Sequence, residues 1–301
     1  MRYIRLAKIA LTAALAIAAA PPIPGPPLGP ADIDKLPSTA PTALVPYGRD
    51  RSQFGELRLP RGKGPFPVAI VIHGGCWTKG YATARNTAPL ASALAARGVA
   101  TWNIEYRQVG DPGGGWPGTF QDWGAAADQL RALARRHPLD LGRTVTVGHS
   151  AGAHAAVWLA ARLRLPKTSE VRGLQPLKLR GAVAIDGPVE LAPFLGFDAD
   201  VCGRPVVAPL MGGTPAERPE RYAQGSPGEL LPIGVPQVLV ASSVLRAADA
   251  ESYRRKAMSA GDSVRVVALP GDQHFNMIAP TDPTYALVEA AVIELLRRRR
   301  P

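Results

Sequence analysis

The sequence is short of cysteine, of aromatic residues and of long hydrophobic runs. Its 301 residues include 2 cysteines and 6% aromatic residues. Two cysteines exclude a disulfide-dense small protein, and without a CxxC or Cys/His spacing the sequence gives no sign of a structural zinc site. Glycine and proline number 31 each but follow no three-residue period, which excludes a collagen-like chain. The length fits one large globular domain or two small ones.

The positive charge of the chain is concentrated near its ends. The net charge is +11, and seven of the cations lie in the first eight residues and in the run 297–300. Removing these seven leaves +4 for the rest. The sequence also lacks a basic stripe with interleaved aromatic residues. This pattern argues against a nucleic acid as the partner.

The first twenty residues resemble a targeting segment. Arg2, Arg5 and Lys8 precede residues 9–20, which are apolar except for Thr12 and form a run shorter than the roughly 20 residues that a membrane span needs. Small residues at Ala16 and Ala18 suit cleavage of a signal peptide. We therefore expect an exported protein, periplasmic or secreted, with an uncleaved membrane anchor as the alternative. Residues 21–40 are proline-rich, and we expect a stiff spacer there, followed by a domain over residues 41–301.

Apolar strand patterns alternate with helical patterns along the domain. Continuous apolar runs such as 66–72 and 237–241 predict buried strands, and helical spacing recurs at 119–136 and 281–298. Alternation of this kind predicts an α/β fold, a mostly parallel central sheet with helices on both faces. Residues 189–236 are rich in glycine and proline, and we expect them to cap the edge where the parallel strands end.

The strongest motif is the sequence GHSAG at 148–152, between a predicted strand and a predicted helix. Small residues around Ser150 allow a tight turn that lifts its hydroxyl above the sheet and presents the N–H of Ala151 to a reacting carbonyl. A free serine hydroxyl is a poor nucleophile, so the motif also requires a base.

A second motif, HGGCW at 73–77, directly follows the predicted strand 66–72. The glycines Gly74 and Gly75 let the backbone approach a ligand closely, so that the N–H of Gly75 or Cys76 can supply an oxyanion hole. An ordinary Gly-Gly turn is the alternative. His73 stands at the strand end and is expected to be structural.

His274 is the predicted base. It lies on a loop just after the predicted strand 263–269, at the edge of the sheet where it can reach Ser150. The other histidines fit this role less well. His137 precedes a proline, His149 is the variable residue of the GxSxG turn, and His154 lies one turn into the next helix.

Together the motifs HGGCW, GHSAGAH, Glu105-Tyr106-Arg107 and GDQHF resemble those of the α/β-hydrolase fold over about residues 50–297. More narrowly, the chain resembles the HGG-type esterases, which include a bacterial feruloyl-esterase-like group and the arylformamidases. The resemblance implies a Ser–acid–His triad and neither a metal nor an organic cofactor. It places the nucleophile at Ser150 and the base at His274. The oxyanion region would comprise Gly74, Gly75, Cys76 and Ala151.

The triad acid departs from the family pattern. The usual position follows the strand 237–241, and the expected spacing falls near Leu245, where no carboxylate occurs. Asp186, after the strand 181–185, lies at the same edge and is the preferred candidate, since the acid needs reach rather than a fixed sequence position. Asp249, which also suits a helix N-cap, and Glu190 are the alternatives. A site without any acid is a further alternative.

Other residues near the motifs have less specific interpretations. A bridge between Cys76 and Cys202 would pin the cap over the site, but the sequence leaves it open. Trp77 and Trp116 are candidates for the substrate mouth.

The sequence thus predicts an exported serine hydrolase that cleaves a carboxylic ester through an acyl-enzyme. The alternatives are an arylformamidase or peptidase that uses the same triad on an amide, and a binding protein that kept the fold without a competent acid.

Overall fold

The computed structural model describes residues 22–298, in which eight strands form one sheet in the order β1-β2-β4-β3-β5-β6-β7-β8. The strands are β1 (Ala43–Pro46), β2 (Phe54–Arg58), β3 (Phe66–Ile72), β4 (Ala100–Ile104), β5 (Leu139–His149), β6 (Ala182–Ile185), β7 (Gln237–Ala241) and β8 (Val264–Ala268). β2 pairs antiparallel with both β1 and β4, whereas the strands from β4 to β8 are parallel. The predicted mostly parallel sheet is therefore confirmed.

Helices connect the strands and cover the sheet. They are α1 (Pro30–Ile33), α2 (Ala88–Ala96), α3 (Gly118–Ala134), α4 (Ala151–Ala161), α5 (Leu191–Phe194), α6 (Phe197–Cys202), α7 (Val207–Met211), α8 (Pro219–Gly225), α9 (Ala247–Ser259) and α10 (Tyr285–Arg297). Short 3₁₀ turns occur at Ala84–Thr87, Arg162–Arg164, Pro227–Glu229 and Asn276–Ile278.

The hydrophobic core has two layers, one on each face of the sheet. In β3, Val68, Ile70 and Ile72 belong to the layer that packs against α3, α4 and α9. The intervening Ala69 and Val71 belong to the layer that packs against α2 and α10. A strand that is buried on both faces needs apolar residues at every position, which explains the continuous run FPVAIVI.

The helix α4 lies unusually close to β3, and all of its residues are buried. A Cβ added at Gly152 would collide with the backbone carbonyl oxygens of Ile72 and His73, so only glycine fits there. This close approach brings Ser150, at the start of α4, beside the HGG residues at the end of β3.

The glycine- and proline-rich segment 189–236 folds into the short helices α5–α8, which pack on the layer formed by α3 and α4. The Nε1–H of Trp158 in α4 donates to the carbonyl oxygen of Gln224 at 2.8 Å. The ring of His154 contacts the carbonyl oxygen of Gly225 at 2.7 Å. The segment is thus attached to the helix that carries Ser150.

The expectation that residues 21–40 form a spacer outside the fold is wrong for residues 22–36, here called the N-terminal strap. Ile33 of α1 is fully buried in the core. The extended backbone before α1 has free polar groups, and the side chain of Asn276 pairs with two of them. It accepts from the N–H of Leu28 at 2.9 Å and donates to the carbonyl oxygen of Pro26 at 2.9 Å.

No helix within residues 22–298 combines the length and the hydrophobicity needed to cross a membrane. The signal peptide or anchor expected over residues 1–20 lies outside the described residues, and export stays a prediction.

Candidate active site

Ser150 occupies the sharp turn between β5 and α4. Its backbone has φ 55° and ψ −122°, a strained conformation for a residue with a side chain. The N–H of Ser150 donates to the carbonyl oxygen of Ile185 in β6 at 2.8 Å, which holds the turn against the sheet. Only 7% of the residue is exposed. The geometry is that of a strand–turn–helix in which the hydroxyl stands clear of the backbone.

Asp186 and His274 meet at the same edge of the sheet. Asp186 directly follows β6, has φ 42° and is fully buried. Its Oδ2 lies 2.8 Å from Nδ1 of His274, on the loop after β8. Because a carboxylate only accepts hydrogen bonds, Nδ1 carries a proton, and a neutral ring then keeps its lone pair on Nε2.

The loop after β7 receives the Asp186 carboxylate. Oδ1 accepts the N–H groups of Ser242 and Leu245, each at 2.8 Å, and that of Val244 at 3.2 Å. The position near Leu245 that lacks an acid in the sequence therefore supplies backbone donors for an acid brought from the neighbouring strand.

The alternative acids are engaged elsewhere. Asp249 forms a surface ion pair with Arg246 at 2.6 Å. It lies inside the first turn of α9, whose N-cap residue is Arg246, so the expected N-cap role of Asp249 is wrong. A negative charge in that turn still favours the helix dipole. Glu190 pairs with Lys256 at 2.7 Å. His274 contacts neither of these carboxylates.

The HGG turn has left-handed backbone at three consecutive residues, with φ of 94° at Gly75, 53° at Cys76 and 52° at Trp77. Within the described part of the chain, the N–H groups of Gly75, Cys76 and Ala151 find no hydrogen-bond acceptor. A Cβ added at Gly74 would lie 2.7 Å from Cβ of Ser150, so a glycine is required at this contact. Free donors are therefore available on both sides of Ser150.

A disulfide bond joins Cys76 of this turn to Cys202 at the end of α6, with the two Cα atoms 6.2 Å apart. The hydroxyl of Tyr81 donates to the carbonyl oxygen of Cys202 at 2.8 Å. The bridge that the sequence left open thus attaches the segment 189–236 to the HGG turn.

His73 supports the HGG turn from below. Its Nε2 lies 2.8 Å from Oε1 of Glu105 and its Nδ1 lies 2.8 Å from the carbonyl oxygen of Gly74. Both partners are hydrogen-bond acceptors, so the ring is held between Glu105 and the backbone of the HGG turn. Burial by itself would raise the pKa of Glu105, but the contacts with His73 and two backbone N–H groups hold this pKa below its usual value. The structural role expected for His73 agrees with these buried contacts.

His149 is a site residue that the sequence reasoning missed. Its Nε2–H donates to the backbone carbonyl oxygen of His274 at 2.9 Å, and the centroids of the two rings lie 4.4 Å apart. Burial, and then the nearby His274 ring, hold the pKa of His149 well below its usual range, so its ring is neutral. The signal was its place beside Ser150 in the GxSxG turn, where it faces the loop that carries His274.

Ser150 and His274 line a cavity of about 560 Å³. Other lining residues come from the strap, the HGG turn and the residues after it, the GxSxG turn, the segment 189–236, and the loops after β7 and β8: Leu28, Gly29, Pro30, Gly75, Cys76, Tyr81, Ala82, Asn86, His149, Val201, Cys202, Ser243, Val244, Asp272 and Phe275. Trp77 and Trp116, the expected mouth residues, do not line it. Trp77 is 1% exposed and packs against His154 and Phe194 in the core. Among the described residues, no cluster of His, Cys, Asp and Glu could hold a metal ion.

The family of the chain follows from comparison with known proteins. A family model described as BD-FAE matches residues 56–243, more than half of the sequence. The chain belongs to the BD-FAE family. The matched span of this BD-FAE protein contains the HGGCW and GHSAG motifs and ends before His274. The resemblance to HGG-type esterases is thereby confirmed. No curated protein matches the BD-FAE chain by sequence.

Solved structures share the fold of this BD-FAE protein at low sequence identity. A truncated carbohydrate esterase from gut microbiota has a TM-score of 0.70 at 19% identity and covers 85% of this chain and 95% of its own. Esterase B from Lactobacillus rhamnosis reaches 0.70 at 18%, covering 89% and 91%. A bacterial heroin esterase reaches 0.68 at 21%, covering 90% and 88%. These likenesses confirm the predicted α/β-hydrolase fold.

Proposed function

We propose that the protein is a serine hydrolase that cleaves a carboxylic ester through an acyl-enzyme. In this proposal Ser150 is the nucleophile, His274 the base and Asp186 the acid. The oxyanion hole is formed by the N–H groups of Gly75 or Cys76 and of Ala151, beside the close contact at Gly74.

The chemistry would run in two halves. Nε2 of His274 removes the proton from Ser150 as its oxygen attacks the ester carbonyl, and the carbonyl oxygen becomes an oxyanion held by the free N–H groups. His274 then gives the proton to the departing alcohol. Water, activated by the same ring, releases the acid and restores Ser150. The carboxylate of Asp186 keeps the proton on Nδ1 and stabilises the charged ring between these steps.

The observation that carries the proposal is the 2.8 Å contact between His274 Nδ1 and Asp186 Oδ2, at a cavity that Ser150 also lines. This contact counts against the alternative of a binding protein without an acid. Membership of the BD-FAE family and a fold shared with several esterases also support ester cleavage. An arylformamide or a peptide would use the same residues, and no observation favours either substrate over an ester.

We also propose that the protein works outside the cytoplasm, without nucleic acid or cofactor, on a small ester or amide. The disulfide Cys76–Cys202 supports this compartment, because such bonds persist in oxidising environments. The targeting pattern in residues 1–20 supports it too. A membrane contact would arise through that segment alone, if it is not cleaved.

The test is hydrolysis of p-nitrophenyl acetate, butyrate and decanoate by the full chain and by Ser150→Ala. We expect the wild type to turn over at least one ester and Ser150→Ala to lose that turnover, because no other hydroxyl stands on the strained turn. A fluorophosphonate probe should label the wild type and not the variant. Activity that survives in Ser150→Ala would overturn the assignment of the nucleophile.

A further inference from the structure

Part of the N-terminal strap lines the cavity that Ser150 also lines. Its residues Leu28, Gly29 and Pro30 line that cavity together with the HGG turn and the His274 loop. Leu28 is half-buried against the core layer of α10. The strap lies outside the span of the family match, which begins at residue 56.

The side-chain amide of Asn276 holds the backbone of the strap by two hydrogen bonds, one accepted and one donated. Besides the contacts with Leu28 and Pro26, its Nδ2–H donates to Oδ2 of Asp282 at 2.9 Å. The same Oδ2 accepts the N–H of Gly25 at 3.1 Å. Asn276 is fully buried and stands two residues after His274. The side chain that holds the strap therefore lies on the same loop as the proposed base.

A second attachment joins the C-terminal part of the strap to the 3₁₀ turn Ala84–Thr87. The guanidinium of Arg85 donates to the carbonyl oxygen of Asp34 at 3.1 Å. The neighbouring Asn86 lines the cavity and lies 3.5 Å from Oδ1 of Asp34. With Ile33 buried between these two attachments, the strap is a fixed part of the wall.

The chemistry of this wall is apolar. Leu28 and Pro30 bring no charge and no side-chain donor to the cavity, and Val201 and Phe275 also line it. An apolar wall favours an apolar part of the substrate, and each methylene that it accepts or excludes changes kcat/KM by about tenfold or more.

We propose that the N-terminal strap forms one wall of the substrate cleft and that Leu28 sets the length of the apolar group, acyl or leaving, that the cleft accepts. This inference rests on the proposed ester cleavage. It adds a specificity residue from a segment outside the family match.

Full-chain Leu28→Ala and Leu28→Trp test the proposal, with Ile23→Ala and Ile23→Trp as matched controls. Ile23 is in the same strap but is 87% exposed and does not line the cavity. The substrates are p-nitrophenyl esters from acetate to decanoate and acetate esters of alcohols from methanol to decanol. Circular dichroism and thermal unfolding show that each variant is folded.

For each series, kcat/KM for the longest ester is divided by kcat/KM for the shortest. We expect Leu28→Ala to raise this ratio by about tenfold in at least one of the two series. Leu28→Trp should lower the same ratio by a similar factor. Both Ile23 variants should keep the wild-type ratio. Folded Leu28 variants with the wild-type ratio in both series would overturn the inference.

The two proposals fail separately. If the wild type cleaves no ester, the proposed function fails. The strap proposal is then tested by measuring the affinities for butyrate and decanoate by calorimetry. Leu28→Trp should then raise the ratio of the Kd for decanoate to the Kd for butyrate by about tenfold. Ile23→Trp should leave that ratio unchanged. Equal ratios in wild type and Leu28→Trp would overturn the strap proposal.

Discussion

The carboxylate of Asp186 accepts hydrogen bonds from the His274 ring and from three backbone N–H groups after β7. A carboxylate in this position can be brought by either of two neighbouring strands, because both end at the same edge of the sheet. This explains how the loop after β7 can lack an acid while the histidine still has one.

We expect Asp186→Asn to lower kcat by about 10⁴-fold, because an amide favours the wrong tautomer of the His274 ring. Asp249→Asn should leave kcat within about twofold, since Asp249 contacts Arg246 at the surface. Steady-state kinetics on the best p-nitrophenyl ester measures both. If Asp249→Asn were the damaging change, the acid would have to be reassigned.

The sequence alone predicts that some residues belong to the candidate site, but it does not predict others. Ser150 and His274 stand next to predicted strand ends, so their edge of the sheet follows from the strand pattern alone. Asp186 was preferred on the same argument. The role of His149 depends on how the His274 loop folds back over β5, and residues distant in sequence decide that.

At the scale of elements, the Cys76–Cys202 bridge connects a turn with positive φ to a short helix. Cys76 has φ 53°, and α6 has 6 residues. A covalent tie across 126 residues therefore restricts both the turn that offers N–H groups and the segment beside it.

The double variant Cys76→Ser/Cys202→Ser should lower the free energy of unfolding by about 2–5 kcal/mol. It should also lower kcat, because the turn that presents the backbone N–H groups of positions 75 and 76 relaxes. Urea unfolding and ester kinetics measure the two effects, with dithiothreitol-treated wild type as the comparison. Unchanged stability and unchanged kinetics together would contradict this account of the bridge.

The elements that the sequence predicted best are those marked by a continuous apolar run or by apolar residues at helical spacing. The strands β3, β6, β7 and β8 and the helices α3 and α10 lie where the sequence placed them, and β5 and α4 flank the GHSAG motif as expected. The strap was misjudged because its proline-rich pattern describes a stiff chain equally well whether that chain is free or docked. Its binding partners, Asn276 and Asp282, lie about 250 residues later.

At the scale of the whole molecule, stability should depend on pH through buried histidines. Burial lowers the pKa of His154 to about 4. Its ring is enclosed by Trp77, Phe120 and Trp123, with no charged group in that aromatic shell. In the unfolded chain the same ring has its ordinary pKa of about 6.5.

The free energy of unfolding should therefore fall as pH decreases from about 6.5 to about 4, since the unfolded state alone takes up the proton. His154 contributes up to about 3 kcal/mol of this loss, and His149 acts in the same direction. Urea unfolding at pH 7, 5.5 and 4.5 measures this fall in the free energy of unfolding. His154→Gln, which cannot titrate, should give a flatter profile, and an identical slope in both proteins would contradict the assignment.

The two ends of the described chain lie near different parts of the sheet. Leu28, Gly29 and Pro30 line the cleft, whereas α10 runs back from the edge where β8 ends, and Arg298 contacts Arg180 just before β6. A carrier protein or solid support joined directly to residue 22 would therefore lie nearer to this cleft than one joined directly to residue 298. We expect joining at residue 298 to be the better orientation for immobilisation or surface display.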